Sequence, residues 1–266
     1  PQRVVGQALR SLGHDAEAER SIHYAYEMVA LTPSAVAAIF PDHPLSEEDR
    51  RSPYLEMSGR KGLGVRADEL VDTLVRQAGG EVRKRNPEMD QEVVERTARQ
   101  IAVGALRYYM LRYTRNRVVA FDLDAALAFE GETGPYLQYS VVRARNILAR
   151  LRERLGEQSV DPRTLAGRLD LDALDADALS AHWVLALRLF RVDAAVQQAV
   201  DSLELSSVAK HAYVLAQTFN SFYHRYPVAQ EDDEAVRGVR IALVRIFHDG
   251  MVDLLKLMGI EVPDRM

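Results

Sequence analysis

One stretch of the sequence can place aromatic rings and guanidinium groups side by side. It reads Gly134-Pro135-Tyr136-Leu137-Gln138-Tyr139-Ser140-Val141-Val142-Arg143-Ala144-Arg145. In a helix, steps of three and four residues bring together Tyr136, Tyr139, Arg143, Asn146, Arg150 and Arg154. Aromatic rings stack on unpaired bases and guanidinium groups bind phosphate, so this spacing predicts a surface for unpaired nucleotides. The alternative is a solvated charged face with a half-buried tyrosine, which is usual for the outer side of an amphipathic helix.

The helix that must position these side chains has a start, an apolar stripe and a stop. Pro135 fits a first helical turn, where its missing N–H is not needed, and Gly156 follows the last periodic leucine. The stripe recurs at helical spacing in Leu137, Val141, Ala144, Leu148, Leu151 and Leu155. It gives the helix one side to bury, and the polar residues lie on the other side.

A second stretch has the composition of a phosphate-binding loop. It reads Met57-Ser58-Gly59-Arg60-Lys61-Gly62-Leu63-Gly64. Three glycines and two adjacent cations can bring backbone N–H groups and positive charge against a phosphate. The stretch lacks the full phosphate-loop pattern, so by itself it predicts no particular ligand.

Composition limits the classes of function. The chain has 266 residues, a net charge of −5 and no cysteine, and 30 of its 34 basic residues are arginine. The negative charge argues against a wholly basic nucleic-acid coat, so any RNA contact must be a local patch. The absence of cysteine excludes disulfides and thiolate metal sites, and it fits a reducing compartment. No apolar run approaches a membrane span, and because Pro1 already lies inside an amphipathic pattern, we expect the chain to be part of a longer protein.

The first 66 residues resemble the end of an α/β unit in their pattern. An apolar stripe from Val4 to Leu12 predicts a short helix ending at Gly13, and the tyrosine-rich, β-branched segment 22–31 predicts a strand. Residues 33–56 hold four prolines and an acidic run, which predicts mostly loop. One strand cannot stand alone, so further strands must accompany it.

The middle of the chain is predicted to be helical. A short helix around Leu70 should end at Gly79-Gly80, and Asp90 should cap a longer helix in which Gly104 requires close packing. The arginines near the end of that helix suit its dipole and the tyrosines suit packing; they are Arg107, Arg112, Arg115, Arg117, Tyr108, Tyr109 and Tyr113. Residues Val118 to Phe121 predict a brief extended piece.

The last part of the chain predicts an antiparallel helix bundle. An acidic loop at 161–177 precedes two helices that carry Trp183 as a core residue. A helix over 206–226 stops at Pro227, and a final helix stops at Gly259. The seven histidines show no pair at ligand spacing, and no nucleophile motif is present, so the sequence predicts no metal site.

Five motifs, taken together and in order, resemble the arginyl-tRNA synthetase family of class I aminoacyl-tRNA synthetases. The stretch from Pro135 to Arg145 resembles the start of its C-terminal helical domain, and the ending from Gly259 to Met266 is similar to the family's ending. Residues 219–223 (Phe-Asn-Ser-Phe-Tyr) resemble its penultimate long helix, and residues 105–109 (Ala-Leu-Arg-Tyr-Tyr) its connective helix. The stretch from Met57 to Gly62 is similar in position to the class I Lys-Met-Ser-Lys-Ser loop. The absence of cysteine speaks against the related cysteinyl enzyme, which has a zinc site.

The resemblance implies an activity and a set of site residues. The family activates arginine with ATP and Mg²⁺ and transfers it to the terminal adenosine of its tRNA. The implied tRNA-binding residues are Tyr136, Tyr139, Arg143, Asn146, Arg150, Tyr213, Asn220 and Met266. The implied catalytic residues are Ser58, Gly59, Arg60 and Lys61, and the implied ATP-binding residues are Met57, Ser58 and Gly59.

Two departures from the family pattern limit what the resemblance implies. Glu56 and Gly59 replace the two lysines of the class I loop, which leaves Arg60 and Lys61 as the nearest cations. The His-Ile-Gly-His signature is missing from the sequence, together with the Rossmann half that holds it. We therefore expect that this chain alone does not make arginyl-adenylate and carries no cofactor.

The resulting prediction is a mainly α fold, with a C-terminal antiparallel bundle after a remnant of an α/β Rossmann-type catalytic domain. The predicted units are 1–66 (catalytic remnant), 67–132 (connective helices) and 133–266 (anticodon-binding domain). The predicted partner is tRNA with an arginine anticodon, bound by a cytoplasmic monomer without DNA or membrane partners. Two alternatives stay open: a separate non-catalytic tRNA-binding module, and a helical interaction domain without RNA.

Overall fold

The computed structural model describes residues 2–57, 64–167 and 169–266, and the chain is mainly helical, as predicted. The α-helices are α1 (Gln2–Ser11), α2 (Asp15–Arg20), α3 (Pro33–Ile39), α4 (Glu47–Arg51), α5 (Ala67–Arg85), α6 (Gln91–Leu111), α7 (Leu123–Leu127), α8 (Gly134–Leu155), α9 (Pro162–Ala166), α10 (Ala176–Phe190), α11 (Val192–Ser202), α12 (Ser206–Arg225) and α13 (Glu234–Leu257). A 3₁₀ helix spans Glu157–Val160, and the strands are β1 (Val29–Leu31) and β2 (Val119–Phe121).

The two strands form a small parallel sheet. Val29 pairs with Val119 and Leu31 with Phe121. The strand prediction for 22–31 is confirmed only in its last three residues, which are the ones that pair in register with β2. The brief extended piece predicted at the position of β2 is confirmed.

The loop prediction for residues 33–56 is wrong in two places, where capped short helices form. The Thr32 side chain accepts a hydrogen bond from the Ala35 N–H at the start of α3. The Ser46 hydroxyl and the Asp49 carboxylate form a capping box at the start of α4. Side chains that satisfy the first free N–H groups stabilise a helix by about 0.5–2 kcal/mol, which is enough to fix these short turns.

Helices α5 and α6 pack along each other, and their pairing overrides a predicted stop. The short helix predicted to end at Gly79-Gly80 continues through both glycines to Arg85. A Cβ on Gly79 would lie 3.6 Å from the Ala98 Cβ, so the glycine lies in close contact with α6. Packing compensates for the cost of about 1 kcal/mol for each glycine in a helix. The Asp90 cap of α6 is confirmed, since its side chain accepts from the Glu92 N–H.

The crossing of α6 and α8 depends on two glycines, as the sequence predicted for Gly104. A Cβ on Gly104 would lie 2.6 Å from the Gln138 Nε2, and one on Gly134 would overlap the Gly104 carbonyl. The Gln138 amide donates both to the Gln100 carbonyl (2.9 Å) and to the Glu261 carbonyl (2.7 Å). This side chain therefore ties α8 to α6 and to the segment after α13.

Two adjacent tyrosines of α6 connect it to both parts of the molecule. The Tyr108 hydroxyl donates to the Ala209 carbonyl of α12 at 3.1 Å, and the Tyr109 hydroxyl donates to the Ala120 carbonyl of β2 at 2.8 Å. Both rings are buried, as predicted. Three nearby arginines also have specific partners: Arg112 donates to the Glu132 carbonyl at 2.7 Å, Arg107 to the Met258 carbonyl and Arg115 to Glu204. Their position is therefore set by these contacts and not by the helix dipole alone.

The main core lies between α8, α12 and α13. The α8 stripe is buried as predicted, except that Leu155 at its end is exposed. Phe219 of α12 stacks on Phe247 of α13 with ring centroids 3.8 Å apart. Full burial of each large apolar side chain contributes about 1.5–3 kcal/mol, so this packing is the main stabilising term of the bundle.

The prediction that Trp183 is a core residue is wrong. Helix α10 buries Ala178, His182 and Leu185, whereas Trp183 is 60% exposed and Phe190 is 80% exposed. Each residue turns a helix by about 100°, so the stripe that begins one residue after His182 faces outward. The predicted acidic loop at 161–177 is also partly helical, because it contains α9, whose first turn is capped by Asp161.

Candidate nucleic-acid interface

The start of α8 is fixed by local contacts. The Thr133 hydroxyl accepts from the Tyr136 N–H at 3.2 Å and donates to the Ala128 carbonyl at 2.6 Å. Pro135 lies in the first turn and Gly156 ends the helix with φ of +88°, both as predicted. These contacts set the rotation of α8, so the face with Tyr136, Tyr139 and Arg143 turns toward α12.

The Arg143 guanidinium joins the two helices. It donates to the Asn220 Oδ1 of α12 at 2.7 Å and to the Tyr139 hydroxyl at 3.0 Å. Its central carbon also lies 4.7 Å from the centre of the Tyr139 ring. A guanidinium has five N–H donors, and these two bonds leave others for an external oxygen.

The Asn220 amide extends the same network. Its Nδ2 donates to the Tyr136 hydroxyl at 3.0 Å and to the Ser140 hydroxyl at 2.9 Å. The Tyr136 ring makes an edge contact with the Tyr213 ring, with centroids 5.8 Å apart. We call Tyr136, Tyr139, Arg143, Tyr213 and Asn220 the polar cluster.

Two further residues belong beside the polar cluster. Gln217 donates to the Tyr213 hydroxyl at 2.9 Å, and Ser140 donates to the Tyr136 carbonyl at 2.8 Å while accepting from Asn220. Neither was predicted as a site residue, although each lies four residues after a cluster tyrosine. Burial, with the neighbouring Tyr136 and Glu132, raises the pKa of Tyr213 above its ordinary value, so its hydroxyl stays protonated.

The polar cluster is reachable from solvent. Tyr139 is 38% exposed, and the other cluster residues are half-buried. Asn146 and Arg150 are exposed and continue the same helical face, whereas Arg154 donates to the Ala229 carbonyl. The structure thus brings together five of the eight predicted tRNA-binding residues, with two more farther along α8.

Met266, the eighth predicted tRNA-binding residue, lies in a different place. Its side chain packs against the buried cluster of α5 and α6 that includes Ala78 and Ile101. The preceding residues are held by Arg145, which donates to the Pro263 carbonyl at 2.9 Å. Arg145 is two residues from Arg143, about 200° around the helix, so the C-terminal segment lies across α8 from the polar cluster.

The predicted phosphate loop lies mostly outside the described residues. Ser58, Gly59, Arg60 and Lys61 fall in the segment 58–63, for which no placement is given. Met57 is half-buried and packs against the apolar cluster around the two strands. Among the described residues there is no group of His, Asp or Glu that could hold a metal ion. The same part of the chain has no helix long and apolar enough to cross a membrane.

Comparison with known proteins agrees with this geometry. Residues 137–266 match the family model of the DALR anticodon binding domain. The helical fold and this match define the C-terminal half as an anticodon-binding domain. The whole chain is 33% identical over 268 residues to the arginine–tRNA ligase of Pyrococcus furiosus, and covers 38% of that protein. The chain belongs to the arginyl-tRNA synthetase family, so the resemblance seen in the sequence is confirmed.

Other relatives support the assignment. The arginine–tRNA ligase of Thermobifida fusca is 35% identical over 207 residues, which cover 78% of this chain and 34% of that protein. A solved structure of Thermus thermophilus arginyl-tRNA synthetase superposes with a TM-score of 0.76 at 29% identity, covering 100% of this chain and 39% of that one. The chain therefore spans well under half the length of the relatives it matches.

Proposed function

We propose that this chain supplies the anticodon-binding part of an arginine–tRNA ligase and binds tRNA with an arginine anticodon. The observation that carries the proposal is the polar cluster, in which two tyrosines and an arginine of α8 meet Tyr213 and Asn220 of α12. The family match over residues 137–266 supports an anticodon-binding role for this part of the chain. A cytoplasmic location and a monomeric state are part of the proposal.

The geometry suits the recognition of unpaired nucleotides. Tyr139 offers an exposed ring, and base–aromatic stacking contributes about 1–3 kcal/mol for each base. Arg143 lies beside that ring and is held in place by Asn220, so little freedom remains to be lost when RNA binds. The chain as a whole is acidic, which favours RNA contacts at local surfaces such as this one.

For the parent enzyme we propose ATP-dependent attachment of arginine to tRNA, with Mg²⁺ as a cofactor. The described residues do not supply a place for either group, since Met57 packs into an apolar cluster and the rest of the predicted loop lies outside them. We therefore derive no catalytic step from this chain. Because the sequence lacks the His-Ile-Gly-His signature, we expect no arginyl-adenylate formation by the chain alone.

Binding measurements with variant tRNAs test the proposal. The chain should bind a tRNA transcript with an arginine anticodon more tightly than the same transcript with a replaced anticodon. Tyr139→Ala should weaken binding by about 1–3 kcal/mol, the value of one lost stack, without unfolding the bundle. Trp183→Ala is the matched control, because it removes another exposed aromatic ring far along a different helix.

The outcomes of these measurements distinguish the three functional hypotheses that the sequence allows. If neither the replaced anticodon nor Tyr139→Ala changes the affinity for tRNA, RNA must be recognised at another surface. If the chain binds no tRNA at any salt concentration, the remaining hypothesis is a helical interaction domain that has no RNA partner. Anticodon-dependent binding by a chain that occurs in nature without a catalytic half would favour the separate tRNA-binding module.

A further inference from the structure

A small pocket at the edge of the matched domain is lined by aromatic rings. It has a volume of about 260 Å³ and lies between the segment before β1, the end of α6 and the connection from α11 to α12. Its lining includes Tyr24, Tyr26, Glu27, Tyr113, Arg115 and Glu204. We call it the tyrosine pocket. It is smaller than most pockets for drug-sized ligands, which measure about 300–1,000 Å³, so its size suits a single ring system.

The rings of the tyrosine pocket are accompanied by guanidinium groups. Tyr24 and Tyr26 have ring centroids 6.2 Å apart. The Arg115 guanidinium lies 5.9 Å from the Tyr24 ring, and the Arg117 guanidinium lies 5.1 Å from the Tyr113 ring. Tyr24 is 41% exposed and Tyr26 is 75% exposed, which is unusual for rings of this size. Exposed rings with arginines beside them form a stacking platform for an unpaired base.

Backbone hydrogen bonds hold the segment that carries the two exposed tyrosines. The Glu27 N–H donates to the Arg115 carbonyl at 2.8 Å, and the Val119 N–H donates to the Met28 carbonyl at 3.1 Å. These bonds fix residues 27 and 28 against the end of α6 and the start of β2. The fold therefore holds the wall of the pocket formed by residues 27 and 28 in place.

The charges in the tyrosine pocket favour one base over a run of phosphates. Arg115 forms an ion pair with Glu204 at 2.9 Å, and Glu27 adds a second carboxylate. Arg117 is exposed on the outer side of the Tyr113 ring, and no ion pair joins it to another described residue. Because Glu204 neutralises Arg115, Arg117 is the guanidinium beside the pocket that is best placed for a single phosphate.

We propose that the tyrosine pocket binds one unpaired nucleotide of the same RNA, by stacking its base between the exposed tyrosines and Tyr113. This inference rests on the proposed function, since it needs the RNA held by the polar cluster. Leu205 lines the pocket just before α12, and Tyr213 follows eight residues later, so the two surfaces lie about 12 Å apart along that helix. One RNA molecule can reach both.

Affinity measurements on paired variants test the inference. The double substitution Tyr24→Ser with Tyr26→Ser should weaken binding of the tRNA transcript at least fivefold, the low end of the range for a lost stack. Ile22→Ser is the matched control, because Ile22 is an exposed apolar residue of the same segment that does not line the pocket. Arg117→Gln should lower the slope of log affinity against log salt by about 0.7, the value for one single-strand phosphate.

The Tyr139→Ala variant separates this inference from the proposed function. If Tyr139→Ala weakens binding while the double tyrosine variant behaves like Ile22→Ser, the tyrosine pocket is not a nucleotide site and the anticodon surface stands. If neither variant changes the affinity, both proposals fail. Ultraviolet crosslinking of the bound transcript adds a direct readout: an RNA adduct on the peptide with residues 21–28 is expected, and its absence beside an adduct near Tyr139 would overturn the inference.

Discussion

Asn220 is the residue on which the polar cluster depends most, and its replacement gives the sharpest test of the geometry. Asn220→Ala removes three hydrogen bonds: from Arg143 at 2.7 Å, to Tyr136 at 3.0 Å and to Ser140 at 2.9 Å. A bond to a charged group contributes about 1.5–3 kcal/mol and a neutral one about 0.5–1.5 kcal/mol. Because water reaches the half-buried cluster, we expect the low end, a loss of about 2–3 kcal/mol in the free energy of unfolding.

The assay is urea denaturation followed by far-ultraviolet circular dichroism, which reports the helices directly. Asn146→Ala is the matched control, since Asn146 is exposed on the same face of α8 and no hydrogen bond joins its side chain to another described residue. It should change the free energy of unfolding by less than about 0.5 kcal/mol, the usual range for surface positions. A loss below that limit for Asn220→Ala would refute the network as a stabilising contact between α8 and α12.

A second replacement at the same position separates stability from recognition. In Asn220→Asp the carboxylate accepts from Arg143, and the Tyr136 and Ser140 hydroxyls can turn to donate to it, so the bundle should stay close to its normal stability. The added negative charge pairs with Arg143 and weakens its attraction for a phosphate. The affinity for tRNA should therefore fall, and its salt dependence should flatten. Unchanged affinity for tRNA would mean that Arg143 makes no contact with RNA.

Three further predictions concern the salt dependence, the helix crossing and the acid stability. Arg143→Ala should lower the slope of log affinity against log salt by about 0.7, and an unaltered slope would count against a phosphate contact. Gly134→Ala should destabilise the chain by about 1–3 kcal/mol or more in thermal denaturation, because the added Cβ would overlap the Gly104 carbonyl. Gly80→Ala is the control and should not destabilise the chain, because a Cβ there would have nothing within 4 Å. Burial alone would raise the pKa of Asp122, but hydrogen bonds from the Ala125 N–H and two hydroxyls outweigh it and hold the pKa below its ordinary 3.8. That stabilisation is present above pH 3.8 and is lost as the pH falls through the lowered pKa, so the stability advantage over Asp122→Asn should shrink below about pH 4.

Local signals in the sequence were sufficient for the elements with strong caps and stops. Asp90, Pro135 and Gly156 mark helix ends by chemistry that acts within one turn, and the structure has those ends where they were predicted. The close approach at Gly104 was also predictable, because a glycine inside a long helix requires a reason. These predictions depend on neighbours in the chain and not on distant packing.

The errors come from contacts that a single sequence does not display. The Gly79-Gly80 pair looks like a stop, but α6 supplies the packing that lets α5 continue. Trp183 lies on an apolar stripe, yet the neighbouring stripe with His182 is the one that other helices cover. Met266 packs against α5 and α6, apart from the polar cluster, and its contact with tRNA stays a prediction. In each case the partner lies far away in the chain, so periodicity alone could not choose.

Five of the residues predicted to bind tRNA lie together because they share two helices, and their contact with tRNA stays a prediction. Tyr136, Tyr139 and Arg143 are linked by helical spacing, and only the rotation of α8 had to be right for them to meet α12. The tyrosine pocket had no such signal, since Tyr24 and Tyr113 are 89 positions apart and meet only through the pairing of β1 with β2.

Through the hydroxyl contacts of Tyr108 and Tyr109, α6 belongs both to the helix bundle and to the region of the two strands. The Tyr108 hydroxyl bonds to α12 and the Tyr109 hydroxyl bonds to β2. Residue 133 therefore does not mark a boundary that is free of contacts. A fragment beginning there would lack α6 and would expose the side of α8 at Gly134 to water. A truncated version of the chain that is meant to fold should therefore retain α6.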